Sequence, residues 1–440
     1  MKYRFLLILS FGLTGVCYSQ QNITVGEAVA AALQKNYDVK LQQNIAATAN
    51  SDKKFAAIGV FLPNINGVGA IVKNTTDSRS ITASDVETVR TGIKSTNTQG
   101  SVQLVWTLFD GTKMFATRKR LVETAELNEL NVRSLMNNTV ASVVNNYYNI
   151  VRQKQQLKAF QEQIGVGEER VKLAEKKLQV GTGGKPEFLQ AKVDLNAFRT
   201  SALAQEALIL QLKDQLNGLV GLTLPPTYET ADTIIIDMDM TLQEVIANIE
   251  ETNPTLIAAR KAIEVAEAGV WESRAGRSPV VNFNSNYNFN KTENAVAASP
   301  VSLLYSRNKG LNYGLSVSLP ILNGLNITNN INKARINLER QKLIYDQQVM
   351  VATVNARVAY AGYDNARKTL IIEEENILLA KENVFIMLES FKRGIATTIE
   401  LRTAQQSLVD AYTRLIAARY NAKVSETELL RLRGALLVSQ

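Results

Sequence analysis

Two carboxylates stand at matching places in this chain. Glu187 follows Gly181 by six residues in Leu178-Gln-Val-Gly181-Thr-Gly-Gly-Lys-Pro186-Glu187-Phe188, and Glu400 follows Gly394 by six in Phe391-Lys-Arg-Gly394-Ile-Ala-Thr397-Thr-Ile-Glu400-Leu401. A carboxylate so placed can do either of two things. At a helix start it accepts backbone N–H bonds and meets the positive end of the helix dipole; Thr397-x-x-Glu400 has capping-box spacing, and Glu187 follows Pro186. Repeated by symmetry around a narrow lumen, it attracts cations and repels anions, and the acids raise one another's pKa. The two readings are compatible, and both stay open. Other chemistry is scarce. The chain has no histidine and one cysteine, Cys17, so the usual general base, the commonest metal ligand and a thiolate pair are missing. The sequence predicts no enzyme, no cofactor and no metal site. Gly181-Thr-Gly-Gly-Lys185 lacks the Gly-x4-Gly-Lys-[Ser/Thr] spacing of a phosphate loop and follows no strand, so it reads as a turn.

The two glycines lie 213 positions apart, and identical residues recur at that offset: Gly111/Gly324, Leu130/Leu343, Tyr147/Tyr360, Leu157/Leu370, Val171/Val384, Ala191/Ala404, Leu195/Leu408, Leu216/Leu429 and Gly221/Gly434. An ungapped register held so long predicts one unit written twice. The first repeat is placed at 20–224 and the second at 241–440. Between them lies a linker at 225–240, opened by Pro225-Pro226 and holding a candidate short strand at Ile234–Ile236.

The start of the chain reads as an export signal at 1–19, with Lys2 and Arg4 before an apolar run, Phe5 to Val16, too short to span a bilayer. Cys17 and Ser19 are the small residues before a cut at Gln20. The alternatives are a short anchor helix or acylation of Cys17, the latter with Val16 where a small residue is wanted. The formal charge of +8 is spread over Lys and Arg interleaved with Glu and Asp, which reads as solvated helix faces and excludes a nucleic-acid stripe. No later apolar run reaches the length of a transmembrane helix.

Thr24 to Asn36 and its twin Thr241 to Asn253 each read as a capped amphipathic helix, followed by a second helical stretch that closes at Pro63 or Pro279. Beyond those prolines the period becomes two. Val281-Asn-Phe283-Asn-Ser285-Asn-Tyr287-Asn-Phe289-Asn290 and Leu311-Asn-Tyr313-Gly-Leu315-Ser-Val317-Ser-Leu319 alternate apolar with Asn, Gly or Ser. A soluble sandwich alternates too, but a membrane barrel explains a polar face of this composition. Strands are expected at about 62–73, 100–109, 280–290 and 310–321, with long loops at Asn74–Gln99 and Lys291–Lys309. Four strands cannot close in lipid, so several copies must share a barrel. Long helices are expected at about 112–180, 186–220, 325–393 and 398–434. Roughly 65 residues at about 1.5 Å each span about 100 Å. Positions 401, 404, 408, 411, 415, 418, 422, 425, 429 and 432 read Leu, Ala, Leu, Ala, Leu, Ala, Ala, Ser, Leu, Leu, a heptad seam. The tyrosines at 147, 148, 360 and 363 read as packing residues.

Taken together, the export signal, the duplicated helix–hairpin–helix pair and the Gly-x5-Glu-[Phe/Leu] turns resemble the TolC family of outer-membrane efflux channels over essentially the whole mature chain. The resemblance implies a mainly α fold with a membrane β-barrel portion: a homotrimer with a twelve-stranded barrel in the outer membrane of a Gram-negative bacterium. A twelve-helix α-barrel would cross the periplasm, and the glycine turns would form its closed tip. It implies an exit duct for efflux or type I secretion, with a periplasmic adaptor and an inner-membrane transporter as partners. A structural or adhesive coiled-coil protein is the alternative. By resemblance Glu187, Glu400 and Thr403 occupy tip constriction positions, although Thr403 is not acidic. Gly181, Thr182, Gly183, Gly394, Ile395, Ala396 and Thr397 form the turns that dock the adaptor. The family's tyrosine and arginine that latch the position of Glu187 are Phe391 and Ala396 here, so that latch is missing and another lock is expected.

Overall fold

The computed structural model describes residues 22–81, 83–222, 224, 228–296 and 303–437; the expected export signal with Cys17, and the Pro225-Pro226 break, lie outside the described residues. In chain order the elements are β1 (Asn22–Ile23), α1 (Val25–Lys35), α2 (Tyr37–Ile58), β2 (Asn64–Ile81), β3 (Glu87–Phe109), α3 (Lys113–Gln179), α4 (Lys185–Leu219), β4 (Glu229–Thr230), α5 (Leu242–Ile246), α6 (Ile249–Thr252), α7 (Pro254–Ala275), β5 (Val280–Asn294), β6 (Tyr305–Ser318), α8 (Asn326–Lys392) and α9 (Thr398–Arg433). They fall into two units. One holds the described residues of Met1–Gln42, Val132–Pro254 and Met350–Gln440, and the other holds Gln43–Asn131 and Thr255–Val349.

The second unit carries an antiparallel sheet in the order β2-β3-β5-β6. Its strands run further than alternation predicts. β2 and β3 pair from Asn64↔Val105 to Ile81↔Glu87, so most of the loop expected at Asn74–Gln99 is strand. Likewise Lys291↔Arg307 and Glu293↔Tyr305 are paired inside the loop expected at Lys291–Lys309. The reason is that a ladder needs only backbone N–H and C=O, and β-branched Thr suits a pleated strand without apolar alternation. Such rows carry no signal of period two.

In the first unit, α1 begins at a capping box in which the Thr24 hydroxyl accepts from the Glu27 N–H at 3.2 Å and the Glu27 carboxylate accepts from the Thr24 N–H at 2.8 Å. Its expected twin is broken. Thr241 and Glu244 form the same box, but Asn248 leaves helical dihedrals (φ −134°, ψ 27°) and restarts a short helix, dividing the segment into α5 and α6. Asn is a weak helix former whose place is the cap. Asn36 and Asn253 still do matching work. Each donates its Nδ2 at 2.9 Å to the end of a returning helix, at the carbonyls of Leu219 and Leu432.

The long helices α3 and α8 are unbroken over 67 residues each, and Gly165 and Gly167 sit inside α3 without interrupting it. On α9 the expected seam is buried at Leu401, Ala404, Leu408, Ala411, Leu415, Ala418, Ala422, Leu429 and Leu432. The exception is Ser425, where Glu426 and Thr427 are buried beside it instead. One core gathers Val29, Val143, Tyr147, Ile150, Leu216 and Tyr228. Another joins Leu370, Ile377 and Val384 of α8 to the seam of α9.

The linker is held by side chains of the long helices. No strand forms at Ile234–Ile236; the short strand is β4, which pairs in parallel with β1. Linker carbonyls are taken instead by Lys154 (Thr230, 2.9 Å), Gln155 (Asp232, 2.8 Å), Tyr363 (Asp237, 2.7 Å) and Arg367 (Met238, 3.0 Å). With its polar groups satisfied this way the segment needs no ladder. Tyr147, 1 % exposed, donates its hydroxyl to the Ile23 carbonyl at 2.8 Å and accepts from the Ala231 N–H at 2.9 Å.

Tyr147→Phe is therefore expected to cost about 1–3 kcal/mol, because both backbone groups lose a buried partner. Thermal unfolding of the purified variant measures this, and an unchanged midpoint would show that the linker does not depend on the bond. Acid should loosen the same place. Burial pushes Glu229 up, but the Lys213 and Lys154 ammonium groups outweigh it and hold its pKa below the ordinary value; the hydrogen bond from Lys154 chiefly lowers Asp232. Carboxylates with depressed folded pKa values stabilise the fold above their ordinary values, and that contribution is lost as pH falls through the folded ones. Lys154→Met removes the shared cation and should flatten the fall in melting temperature between about pH 5 and pH 3. A fall as steep as in the parent chain would count against the linker ion pairs as its source.

Candidate functional site

Both helical turns of the first unit end in the same way. Gly181 has φ +75° and Gly394 has φ +78°, the left-handed region that glycine enters without steric cost. The Thr182 N–H reaches back to the Lys177 carbonyl at 2.9 Å and the Gly181 N–H to Leu178 at 3.2 Å; Ile395 bonds Ser390 at 2.9 Å and Gly394 bonds Phe391 at 3.1 Å. These are paired six-to-one and five-to-two closures, the Schellman motif.

The helix starts that follow are unlike. At Thr397 the capping box is complete: the Thr397 N–H and hydroxyl donate to the Glu400 carboxylate at 2.7 and 2.9 Å, and the Glu400 N–H donates to the Thr397 hydroxyl at 3.3 Å. The Thr397 backbone bond, then its hydroxyl, lower the Glu400 pKa. Thr403 donates to the Ile399 carbonyl of its own helix at 3.0 Å and does not meet Glu400. In the first turn Gly184 caps α4 without a side-chain bond, and Pro186 lies in the first helical turn. Glu187 is thus not spent on capping, and it accepts from the Thr398 hydroxyl at 2.5 Å. That contact joins the two turns. At the position expected to lack a latch, Phe391 is 1 % exposed and the Lys177 ammonium stands 3.9 Å from its ring centroid, in cation–π geometry. The turns also show Val180, Ile395 and Ile399 to solvent, each more than 70 % exposed.

Sequence reasoning missed Thr398 and Lys177, and also a polar clasp further along the same helices. The Arg170 side chain, 2 % exposed, donates to Asp194 at 2.7 Å and to the Gln405 amide oxygen at 3.3 Å. Gln190 also donates to the Asp194 carboxylate, at 2.8 Å. It binds α3, α4 and α9 together. A buried arginine on a mixed-charge helix has no one-dimensional mark; only packing shows it. Among the described residues, no group of His, Cys, Asp and Glu is placed to hold a metal.

In the second unit the sheet has two unlike faces, fixed by register. One carries Ile65, Val102, Leu104, Trp106, Phe283, Tyr287, Leu311, Tyr313 and Leu315. On the other, Asn66, Gln103, Asn286 and Asn312 stand side by side in one row, and Asn282, Asn284, Asn288 and Asn290 continue the amides along β5. Across the paired stretch from Asn282 to Asn294 that face carries no Asp, Glu, Lys or Arg. Both tryptophans lie at the helix end of the sheet, where Trp106 donates to the Phe61 carbonyl at 2.9 Å and Trp271 to the Thr112 hydroxyl at 3.2 Å.

The outer membrane efflux protein family model matches residues 28–222 and 245–435. The outer membrane efflux protein BepC of Brucella suis biovar 1 is 22% identical over 434 residues, covering 94% of this chain and 87% of BepC. The fold is shared with the CmeC outer membrane channel of Campylobacter jejuni (TM-score 0.77, 17% identity, 93% of this chain and 85% of that one). It is shared equally with the outer membrane protein VceC of Vibrio cholerae (TM-score 0.75, 17% identity, 93% and 96%). With most of its length inside the family model and the fold of these channels, the chain belongs to the outer membrane efflux protein family.

Proposed function

We propose that three copies of this chain close one twelve-stranded barrel continuous with a twelve-helix tube, docked at its tip turns by a periplasmic adaptor and an inner-membrane transporter. Family membership makes the chain an outer-membrane exit duct that extends into the periplasm. The observation that carries the assembly is the four-stranded sheet, whose outer strands β2 and β6 each have one unpaired edge among the described residues. Lipid tolerates no open edge, and bacterial barrels begin at about eight strands. The two faces fit that setting, apolar to lipid and amide-lined to a wet lumen. The apolar rows run over nine residues, eight rises, from Val281↔Val317 to Phe289↔Lys309. At about 3.3 Å per residue and about 40° of tilt they span about 20 Å, close to the apolar band of known barrels.

The helices support the same reading. On α8, Ile336, Leu343, Met350, Ile371, Leu378 and Phe385 lie whole heptads apart and are all more than half exposed. On α4, Leu203 and Leu210 continue from Leu189 in the same spacing, also exposed. Unpartnered heptad stripes are what helices of a neighbouring copy would cover. At the tip, exposed Val180, Ile395 and Ile399 beside Gly181, Thr182, Gly183, Ala396 and Thr397 offer the adaptor an apolar surface. Glu400 supplies the constriction charge, with Glu187 and Thr403 nearby in sequence position on their helices.

Electron-microscope imaging of the detergent-extracted protein tests the assembly: three-fold particles with a lumen are expected, and lumenless fibres or compact monomers would overturn it. Leu378→Asp should leave the monomer folded but abolish the trimer on size-exclusion chromatography; a full trimer yield would remove the α8 stripe from the interface. Glu400→Gln keeps the capping box, since Gln serves at that position. It should move the cation-to-anion permeability ratio in planar bilayers toward one, and an unchanged ratio would confine Glu400 to capping.

A further inference from the structure

Above the apolar rows, the outward face of the sheet changes character within one step of register. The row Gly69↔Gly100↔Phe289↔Lys309 is followed by Ile71↔Thr98↔Lys291↔Arg307 and then by Lys73↔Thr96↔Glu293↔Tyr305, with Lys94 opposite Thr75 beyond them. Five cations, Lys73, Lys94, Lys291, Arg307 and Lys309, therefore share these rows with a single carboxylate, Glu293; further along the β2–β3 hairpin Asp77 accepts from the Gly92 N–H and Glu87 pairs with Arg79. Lys291 pairs with Glu293 at 2.7 Å, and among the described residues the others make no ion pair. Lys73, Lys94, Arg307 and Lys309 are exposed. Aromatic rings fix several of them in place: Phe289 lies 5.6 Å from the Arg307 guanidinium and 6.0 Å from the Lys309 ammonium, and Tyr305 lies 5.8 Å from Lys291. A cation held over a ring keeps its remaining donors free for an anion.

We infer that this belt binds the phosphate groups of the outer-leaflet lipid, a phosphorylated glycolipid standing with its acyl chains against the apolar rows below. The inference rests on the barrel reading, because that reading turns this face toward lipid. The belt begins where the apolar band ends, on the hairpin side and away from the helices, which is the level of the outer headgroups. Cations beside a membrane surface each add to the attraction for anionic lipid, and the guanidinium and ammonium groups are the donors that phosphate oxygens take. The same rows on the opposite face hold Gln99, Asn97, Asn290, Thr292, Asn308 and Ser306, with no charge at all. Within these rows the cations are confined to the side that meets lipid.

The test compares the assembled full-length protein with the variant Lys94→Gln/Lys291→Gln/Arg307→Gln/Lys309→Gln, and with Lys333→Gln/Arg335→Gln as a control that removes charge from α8. Each is extracted in a neutral detergent and titrated with bis-phosphorylated lipid A, with its dephosphorylated form and with inorganic phosphate. The parent and the control should retain the phosphorylated lipid, the belt variant at least about tenfold less, in line with the added attraction per cation. The dephosphorylated form should bind the parent as weakly as the belt variant binds the phosphorylated one. Equal retention by parent and belt variant would overturn the inference, and so would displacement of the lipid by millimolar inorganic phosphate, which would mark a site for the free anion. Insertion into planar bilayers separates the two readings. If the parent conducts but its lipid retention ignores the phosphates, only the belt fails; if it neither inserts nor conducts, the barrel reading and the belt fall together.

Discussion

An unpaired strand edge cannot be left in hydrocarbon, and most of what is unusual in this chain follows from that. Each exposed N–H or C=O costs several kcal/mol without water or a partner. β2 offers such an edge over 18 residues and β6 over 14. Water-soluble proteins blunt edges with proline, charge or a covering loop. β6 has no proline, and in its apolar stretch Gly310 and Gly314 leave the backbone open. An edge kept clean in this way is one meant to be paired. The exposed heptads of α4 and α8 state the same requirement in helical terms, since they leave leucines and isoleucines in solvent for a partner to bury.

At the tip, duplication has produced two identical helix endings and two different helix beginnings. The difference decides what each carboxylate can do. Glu400 is bound by the Thr397 N–H and hydroxyl, which hold it ionised and fix its direction. Carboxylates repeated round a narrow pore would push one another's pKa upward. The cap works against that push, so capping would help sustain a charge ring rather than exclude one. Glu187 starts a helix whose cap is a glycine, and it is left free to reach Thr398. With Phe391 buried under Lys177 where the family has its tyrosine, the link between turns passes through a threonine hydroxyl.

Much of this was legible in one dimension, and the failures share a cause. The seam of α9 shows itself because burial there follows period 3.5, and the sheet shows itself where apolar residues alternate. The Ser/Thr-rich rows beyond Asn74 escaped because they face no oil on either side, so the ladder is made by backbone alone. Ile234–Ile236 looked like a strand by composition. The carbonyls on either side of it, those of Asp232, Asp237 and Met238, are taken by Gln155, Tyr363 and Arg367, residues more than a hundred positions away or on another helix, and no local pattern records them. The break at Asn248 was hidden because the twin segment, ending at Asn36, forms one helix. Arg170 lies among a dozen similar charges on α3 and is distinguished only by what α4 and α9 bring against it.

The distribution of charge on the sheet then gives the proposed duct its division of labour. From Asn282 to Asn294 one face is mostly asparagine, glutamine, serine and glycine, with Val68, Ala70, Val72 and Val105 among them, and it offers donors and acceptors without a fixed charge. Such a lining hydrates cargo of either sign without holding it, as conduction requires that binding sites be weak enough to leave. Selectivity must then be set elsewhere along the path. In the proposed assembly the carboxylate at the α9 start would set it, because one charge per copy counts for most where a lumen is narrowest and water least able to screen it. In the rows just above the apolar ones, charge is confined to the opposite face, which in the proposed barrel would meet lipid rather than cargo. The alternation of period two makes this separation possible, since neighbouring residues on one strand answer to different solvents.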